Sequence, residues 1–152
     1  MPTPEEIRGL VERFNQKVFN EHDLEAGAEM LADDFAEHSP FMPGGPPTKE
    51  GALADFRTML AAIPDMRAET VRTVVSGNKV AVHSRATGTD GGTGFGAMMG
   101  APATGKPFTA DSIDVLTVGD DLKFTEHYGI FDVSAVMMQL GLLPPPPPPA
   151  QG

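Results

Sequence analysis

The residues from Lys106 to Asp132 predict a β-hairpin, and this element constrains the fold more than any other stretch. Two runs rich in Val, Ile, Thr, Phe and Tyr flank the turn cluster Gly119-Asp120-Asp121. A two-residue loop at Asp120 and Asp121 would set Asp114 directly opposite His127. A carboxylate and an imidazole at cross-strand distance would then interact, and this is the clearest chemical signal in the chain.

The register of this hairpin stays open between two alternatives. A loop that begins one residue earlier sets His127 opposite Ser112 and Asp114 opposite Thr125. Both alternatives put Asp114 and His127 on the same face of the sheet, because side chains alternate along a strand. The predicted members of this face are Ser112, Asp114, Leu116, Thr125, His127 and Gly129.

Length and charge limit the classes of function that are open. With 152 residues, we expect a single domain over residues 1–143 and a disordered, proline-rich tail over residues 144–152. The net charge of −10 argues against nucleic-acid and anionic-membrane partners, which require a basic surface. The N-terminus does not resemble a signal peptide and no long apolar run is present, so a cytoplasmic protein is expected.

Four helices are predicted from their capping residues. Thr3, Pro4 and Glu6 form a capping box and a first-turn proline before an apolar stripe that runs to Val18. Shorter helices are expected after Asp23, after Thr48 and after Asp132. The last of these ends at the glycine at position 141.

Strands are predicted between and after these helices. Residues 33–38 form a short strand, and the proline-rich residues 39–47 form a loop. Residues 66–75 and 79–88 form two longer strands, and the glycine-rich residues 88–105 connect them to the hairpin. Helices followed by sequential strands predict an α+β fold, in which a curved antiparallel sheet wraps around the N-terminal helices and encloses a pocket.

Short motifs follow one another in a characteristic order between Ile7 and Leu143. They are Phe14-Asn15, Asp34-Phe35, His38-Ser39-Pro40, Ile63-Pro64-Asp65-Met66, Gly88-Thr89-Asp90 with Gly92, the glycine-rich segment up to Ala103-Thr104-Gly105-Lys106, Glu126-His127, Asp132, and Gln139-Leu140-Gly141. Their order and spacing resemble the SnoaL-like polyketide cyclases, a family within the cone fold of nuclear transport factor 2.

The resemblance implies a cofactor-free homodimer or homotetramer that closes rings on a hydrophobic polyketide-like substrate in secondary metabolism. The catalytic aspartate of the family falls on Gly129 here, and its glutamine and histidine fall on Ser112 and Asp114. Three hypotheses remain. Asp114 replaces the aspartate from across the hairpin in an aldol-type cyclase, or it activates water in an epoxide-opening enzyme, or the protein only binds a hydrophobic small molecule.

The candidate catalytic residues are Asp114, His127 and His38. Asp114 and His127 would exchange protons with the substrate, and otherwise they form a structural hydrogen bond between strands. His38, at the pocket mouth in the family, would donate to a substrate oxygen. The candidate substrate contacts are Phe14, Phe41, Met98, Ser112 and His83.

No metal site is expected from the sequence. The four histidines lack the close spacing of metal ligands. The segment GAPATGK at residues 100–106 matches the start of a phosphate-binding loop, but a strand rather than a helix is predicted to follow it.

Overall fold

The computed structural model describes residues 1–41, 44–99, 101–144 and 146–151, with only the backbone described at residues 98 and 99. Helix α1 spans Pro4–Phe14. Its capping box is confirmed, because the Thr3 N–H donates to Glu6 Oε2 at 2.7 Å and the Glu6 N–H donates to Thr3 Oγ1 at 3.2 Å. Three further helices, α2 (Leu24–Glu29), α3 (Lys49–Ala62) and α4 (Val133–Gln139), begin after the predicted caps Asp23, Thr48 and Asp132.

A π-helical segment, Asn15–Asn20, continues α1 where the sequence predicted an ordinary helix. The Asn20 side chain holds this segment against the sheet, because it donates to the carbonyl of Ala68 at 3.0 Å and accepts from the Ala68 N–H at 2.9 Å. Phe14, Asn15 and Phe19, at the end of α1 and in this segment, all face the interior.

The sheet contains five strands in the order β1-β5-β4-β3-β2. Their bounds are Leu31–Glu37, Arg67–Ser76, Lys79–Thr89, Pro107–Val118 and Phe124–Phe131, from β1 to β5. The α+β class is confirmed, but the sheet is not wholly antiparallel, since β1 pairs with β5 in parallel. No hairpin joins these two strands, so no tight turn forces them to run in opposite directions.

The predicted register of the β4–β5 hairpin was wrong in both alternatives. Asp114 pairs with Gly129, and Leu116 pairs with His127. The connection covers residues 119–123, and the register shifts after the Thr117–Glu126 pair so that Val118 pairs with Phe124. This bulge leaves Thr125 unpaired, so Phe124 and His127 can both face inward although they are three residues apart.

The helices pack on the concave face of the sheet over two apolar clusters. One cluster joins α1 to β1, α3 and the β3–β5 strands, and the other joins the end of α3 to α4. Between them the glycine-rich connection contains a short 3₁₀ helix, Phe95–Met99, around the fully buried Asp90. None of the helices in the described ranges has the length and apolar character needed to cross a bilayer.

Candidate active site

A cavity of about 410 Å³ lies between the helices and the concave face of the sheet. This volume is within the range of pockets that hold drug-sized ligands. Most of its wall is aromatic or aliphatic. The apolar lining includes Val11, Phe14, Phe19, Leu31, Phe35, Phe41, Phe56, Met59, Met66, Val82, Leu116, Phe124 and Phe131.

Three ionisable side chains form a hydrogen-bonded row across one end of this cavity. His127 lies in the middle, with Nδ1 2.8 and 2.9 Å from the two carboxylate oxygens of Glu37. Its Nε2 lies 2.8 Å from Asp114 Oδ1. The three residues come from β1, β5 and β4, which are adjacent in the sheet. We refer to Glu37, His127 and Asp114 as the acid–base triad.

Strand pairing explains the contact between Glu37 and His127. Glu37 is the Cα partner of His127 in the parallel β1–β5 pair. Phe35 and Glu37 are two residues apart and share the buried face of β1. The Glu37 side chain is only 8% exposed. Such a buried carboxylate needs a hydrogen-bonded partner, and the imidazole supplies it.

The absence of a side chain at Gly129 explains the contact between His127 and Asp114. Asp114 is diagonal to His127 in the sheet and directly opposite Gly129. A Cβ atom at Gly129 would overlap Asp114 Oδ1 and would lie 2.6 Å from His127 Nε2. The carboxylate of Asp114 therefore occupies the space that any larger residue at position 129 would need.

The triad holds a proton on the imidazole at neutral pH. Burial alone lowers the pKa of His127, but the hydrogen bonds and charges of Asp114 and Glu37 outweigh burial and raise it to about 9. The geometry agrees with this direction, since both ring nitrogens face carboxylates and both must donate. Two carboxylates around one imidazolium leave the triad with a net charge of −1.

Two hydroxyl groups complete the polar end of the cavity. Ser112 donates to Asp114 Oδ2 at 2.9 Å, so both oxygens of that carboxylate accept a hydrogen bond. Ser39 accepts from the Gly129 N–H at 3.0 Å, and its own N–H donates to Glu37 Oε1 at 2.8 Å. The O–H of Ser39 has no acceptor among the described residues, and Ser39 lines the cavity.

The structure brings five of the sequence-predicted site residues together at the cavity. Asp114 and His127 are hydrogen bonded, Ser112 supports Asp114, and Phe14 and Phe41 form part of the apolar wall. The side chain of Met98, the sixth candidate, lies outside the described residues.

Two other candidates lie away from the cavity. His38 is exposed and stacks on Tyr128 with ring centroids 4.2 Å apart. It follows the inward-facing Glu37, and neighbours in a strand point to opposite faces. His83 pairs with Ile113 on the outer face and lies 2.9 Å from Asp111 Oδ2. Both placements differ from the predicted roles of these residues as donor and substrate contact.

Sequence reasoning missed Glu37, Ser39 and Asn15 as residues of the cavity. Alternation in the β1 strand could have identified Glu37, because Phe35 is apolar and shares its face. Ser39 follows the strand, where alternation gives no information. Asn15 lies four and eight residues after the buried Val11 and Ile7, so helical spacing could have placed it on the inward face.

The triad does not form a metal site. Its two carboxylates lie on opposite nitrogens of one ring, so they cannot bind one ion together with that ring. No other group of three acidic or histidine side chains in the described ranges could hold a metal ion.

A model of the SnoaL-like polyketide cyclase family matches residues 9–140, which is most of the chain. The chain belongs to this family. Among functionally curated proteins, none matches the sequence significantly. This member of the family therefore has a glycine, Gly129, at the position that the resemblance gives to the catalytic aspartate. Asp114 lies beside that position.

Solved structures of similar proteins share the fold. IdmH of Streptomyces antibioticus, a candidate polyketide cyclase, is 33% identical, with a TM-score of 0.70 over 90% of this chain and 96% of IdmH. TsrD of Streptomyces laurentii is 24% identical, with a TM-score of 0.80 over 94% of this chain and 100% of TsrD. AclR of Streptomyces galilaeus, a candidate hydroxylase, is 21% identical, with a TM-score of 0.80 over 95% of this chain and 87% of AclR.

Proposed function

We propose that this protein is a cofactor-independent cyclase that closes a ring by intramolecular aldol addition on a hydrophobic, polyketide-like carbonyl substrate. The observation that carries the proposal is the position of Asp114. Its carboxylate projects into the cavity in the space left by Gly129, and it is hydrogen bonded to His127. Membership in the polyketide cyclase family and the apolar cavity wall support the same class of substrate.

Asp114 is the general base in this proposal. It removes a proton from a carbon next to a substrate carbonyl, and the electron pair of that C–H bond forms an enolate. The enolate carbon then forms a bond to a second carbonyl carbon of the same molecule. The alkoxide that results takes the proton back from Asp114, so the reaction moves one proton from carbon to oxygen and consumes no co-reactant.

The charge of the triad favours this proton transfer. Before the transfer, the triad carries −1 and the substrate is neutral. After it, the triad is neutral and the enolate carries the negative charge, so the total charge inside the apolar cavity does not change. The imidazolium stays beside the reacting groups throughout, and Glu37 holds its ring in place from the other side.

Ser39 is the donor that we assign to the substrate oxygen. Its hydroxyl lines the cavity and is held beside Gly129, directly across the hairpin from Asp114. It replaces His38 in this role, because His38 is stacked on Tyr128 outside the cavity. A hydroxyl donor that is already fixed in position can stabilise the enolate or alkoxide oxygen without reorganising.

The test compares Asp114→Asn with a matched variant, Asp111→Asn. Both aspartates lie in β4 and each touches a histidine, but Asp111 lies on the outer face with His83. The substrates are aryl ketones with an acidic methylene group and a second carbonyl within ring-closing reach. Product is followed by mass spectrometry, and proton removal by deuterium incorporation from heavy water.

We expect Asp114→Asn to lower both rates by about 10²–10⁴-fold, the usual contribution of a general base, while Asp111→Asn keeps them. Unchanged rates in Asp114→Asn would refute the proposal. Turnover of epoxides but not of ketones would identify the protein as an epoxide-opening enzyme. Binding of the ketones with no turnover of either class would identify it as a binding protein.

A further inference from the structure

We propose that Asn15 and Ser84 form a second polar site in the cavity, which binds a hydroxyl group of the substrate remote from the reacting carbon. This inference rests on the proposed function, because it assumes that Asp114 marks the reacting end. It adds a substrate class: polyketides that carry an oxygen substituent at a defined distance from the carbon that loses its proton.

Asn15 is held in a fixed orientation at the start of the π-helical segment. Its Nδ2 donates to Thr70 Oγ1 at 2.8 Å and to Ser84 Oγ at 3.5 Å. Thr70 and Ser84 are paired residues of β2 and β3. Short π-helical segments occur frequently at functional sites, and Asn15 is the first residue of such a segment.

Both members of the pair line the cavity and keep unused hydrogen-bonding capacity. Asn15 Oδ1 has no partner among the described residues, and Asn15 and Ser84 both line the cavity. Every fully buried side-chain nitrogen or oxygen in the described ranges has a partner, so Asn15 Oδ1 must have open surface. Ser84 accepts from Asn15 and retains its own O–H as a donor.

This combination of one acceptor and one donor fits a hydroxyl group. A substrate hydroxyl can donate to Asn15 Oδ1 and accept from the Ser84 O–H. An apolar ligand that covered the pair would remove both groups from water without replacing their hydrogen bonds, and this costs affinity. The pair therefore selects against substrates that are apolar at this position.

Strand pairing sets the distance between this site and the base. Ser84 pairs with Ser112, and Asp114 pairs with Val82, so Ser84 and Asp114 are diagonal neighbours on one face of the β3–β4 pair. The Cα atoms of diagonal neighbours are about 7–8 Å apart. A polycyclic or extended polyoxygenated substrate can contact both residues at once.

The experiment measures affinity for a monohydroxyanthraquinone and for its dihydroxy isomers by isothermal titration calorimetry. We expect the wild-type protein to bind at least one dihydroxy isomer about tenfold more tightly than the monohydroxy compound, the value of one well-placed neutral hydrogen bond. Asn15→Leu and Ser84→Ala should each abolish this preference, because each variant lacks one of the two groups that bind the second hydroxyl.

The control is Gln16→Leu, a change in the same π-helical segment. The Gln16 side chain is exposed and bonds to Glu21 at 3.3 Å, so this variant should keep the preference. Circular dichroism confirms that each variant is folded, and Ser84→Ala tests the site if Asn15→Leu does not fold. A wild-type protein without hydroxyl preference, or a preference that persists in both variants, would overturn the inference. The effect of Asp114→Asn on proton removal judges the proposed function separately.

Discussion

The shared proton of the triad should make folding stability depend on pH above neutrality. The pKa of His127 rises from 6.5 in a free side chain to about 9 in the folded protein. His127 therefore binds its proton more tightly in the folded chain than in the unfolded one. The stabilisation is fully present below about pH 6.5 and is lost as the pH rises through about 9.

The size of this effect follows from the two pKa values. One pH unit corresponds to about 1.4 kcal/mol, so the interval from 6.5 to about 9 corresponds to about 3 kcal/mol of unfolding free energy. This is a large share of the stability of an ordinary domain, about 5–15 kcal/mol. The His127 side chain is 21% exposed, so solvent screens the interaction only in part.

Two measurements check this prediction. Histidine proton resonances in NMR spectra, recorded from about pH 5 to about pH 10.5, should show one imidazole that titrates near pH 9. Urea unfolding at both ends of the same range should give a decrease of about 3 kcal/mol. A His127 resonance that titrates near the free value would refute the charge assignment of the triad.

Glu37→Gln tests the cause of the raised pKa. The variant keeps a hydrogen-bonding group next to His127 Nδ1 but removes the charge, so the titration midpoint should move down. Glu126→Gln is the matched control, because Glu126 is next to His127 in sequence but faces outward and contacts Thr117. Equal shifts in the two variants would mean that the overall negative charge of the protein, and not the contact with Glu37, raises the pKa.

Two further predictions concern the space beside Gly129 and the buried carboxylate of Asp90. Gly129→Ala adds a methyl group where Asp114 lies, so turnover should fall by about 10²-fold. Gly91→Ala, whose added atom would meet nothing closer than 3.8 Å, should keep turnover, and an equal loss in both would argue against steric displacement. Asp90→Asn should lower the unfolding free energy by about 1–3 kcal/mol in urea titrations, because this buried carboxylate accepts from the N–H and the hydroxyl of Thr104 at 2.8 and 2.9 Å. An unchanged midpoint would mean that the amide satisfies these donors equally well.

The helices could be predicted because their signals are local. Thr3, Asp23, Thr48 and Asp132 each cap a helix by accepting a hydrogen bond from the backbone N–H three residues later along the chain. The bond depends only on neighbouring residues, so the sequence is sufficient to locate it. The strand order along the chain and the α+β class followed from similarly local patterns.

The register of the hairpin could not be predicted, because packing decides it. Phe124 is buried, and it can face the core together with His127 only if Thr125 is extruded as a bulge. The energy that drives this choice comes from residues distant in the chain. A two-residue turn was a reasonable expectation from the turn residues alone, but burial of Phe124 outweighs it.

The sequence by itself determined the composition of the site on β4 and β5: an aspartate and a histidine on one face of a hairpin, with a glycine at the position of the family's catalytic aspartate. Only the tertiary structure added Glu37, through the parallel pairing of β1 with β5, and Asn15, through its contacts with Thr70 of β2 and Ser84 of β3. It also showed why the glycine matters, since Asp114 occupies the space that Gly129 leaves open. Contacts between distant segments are fixed by how the helices and sheet pack together, and local patterns do not contain that information.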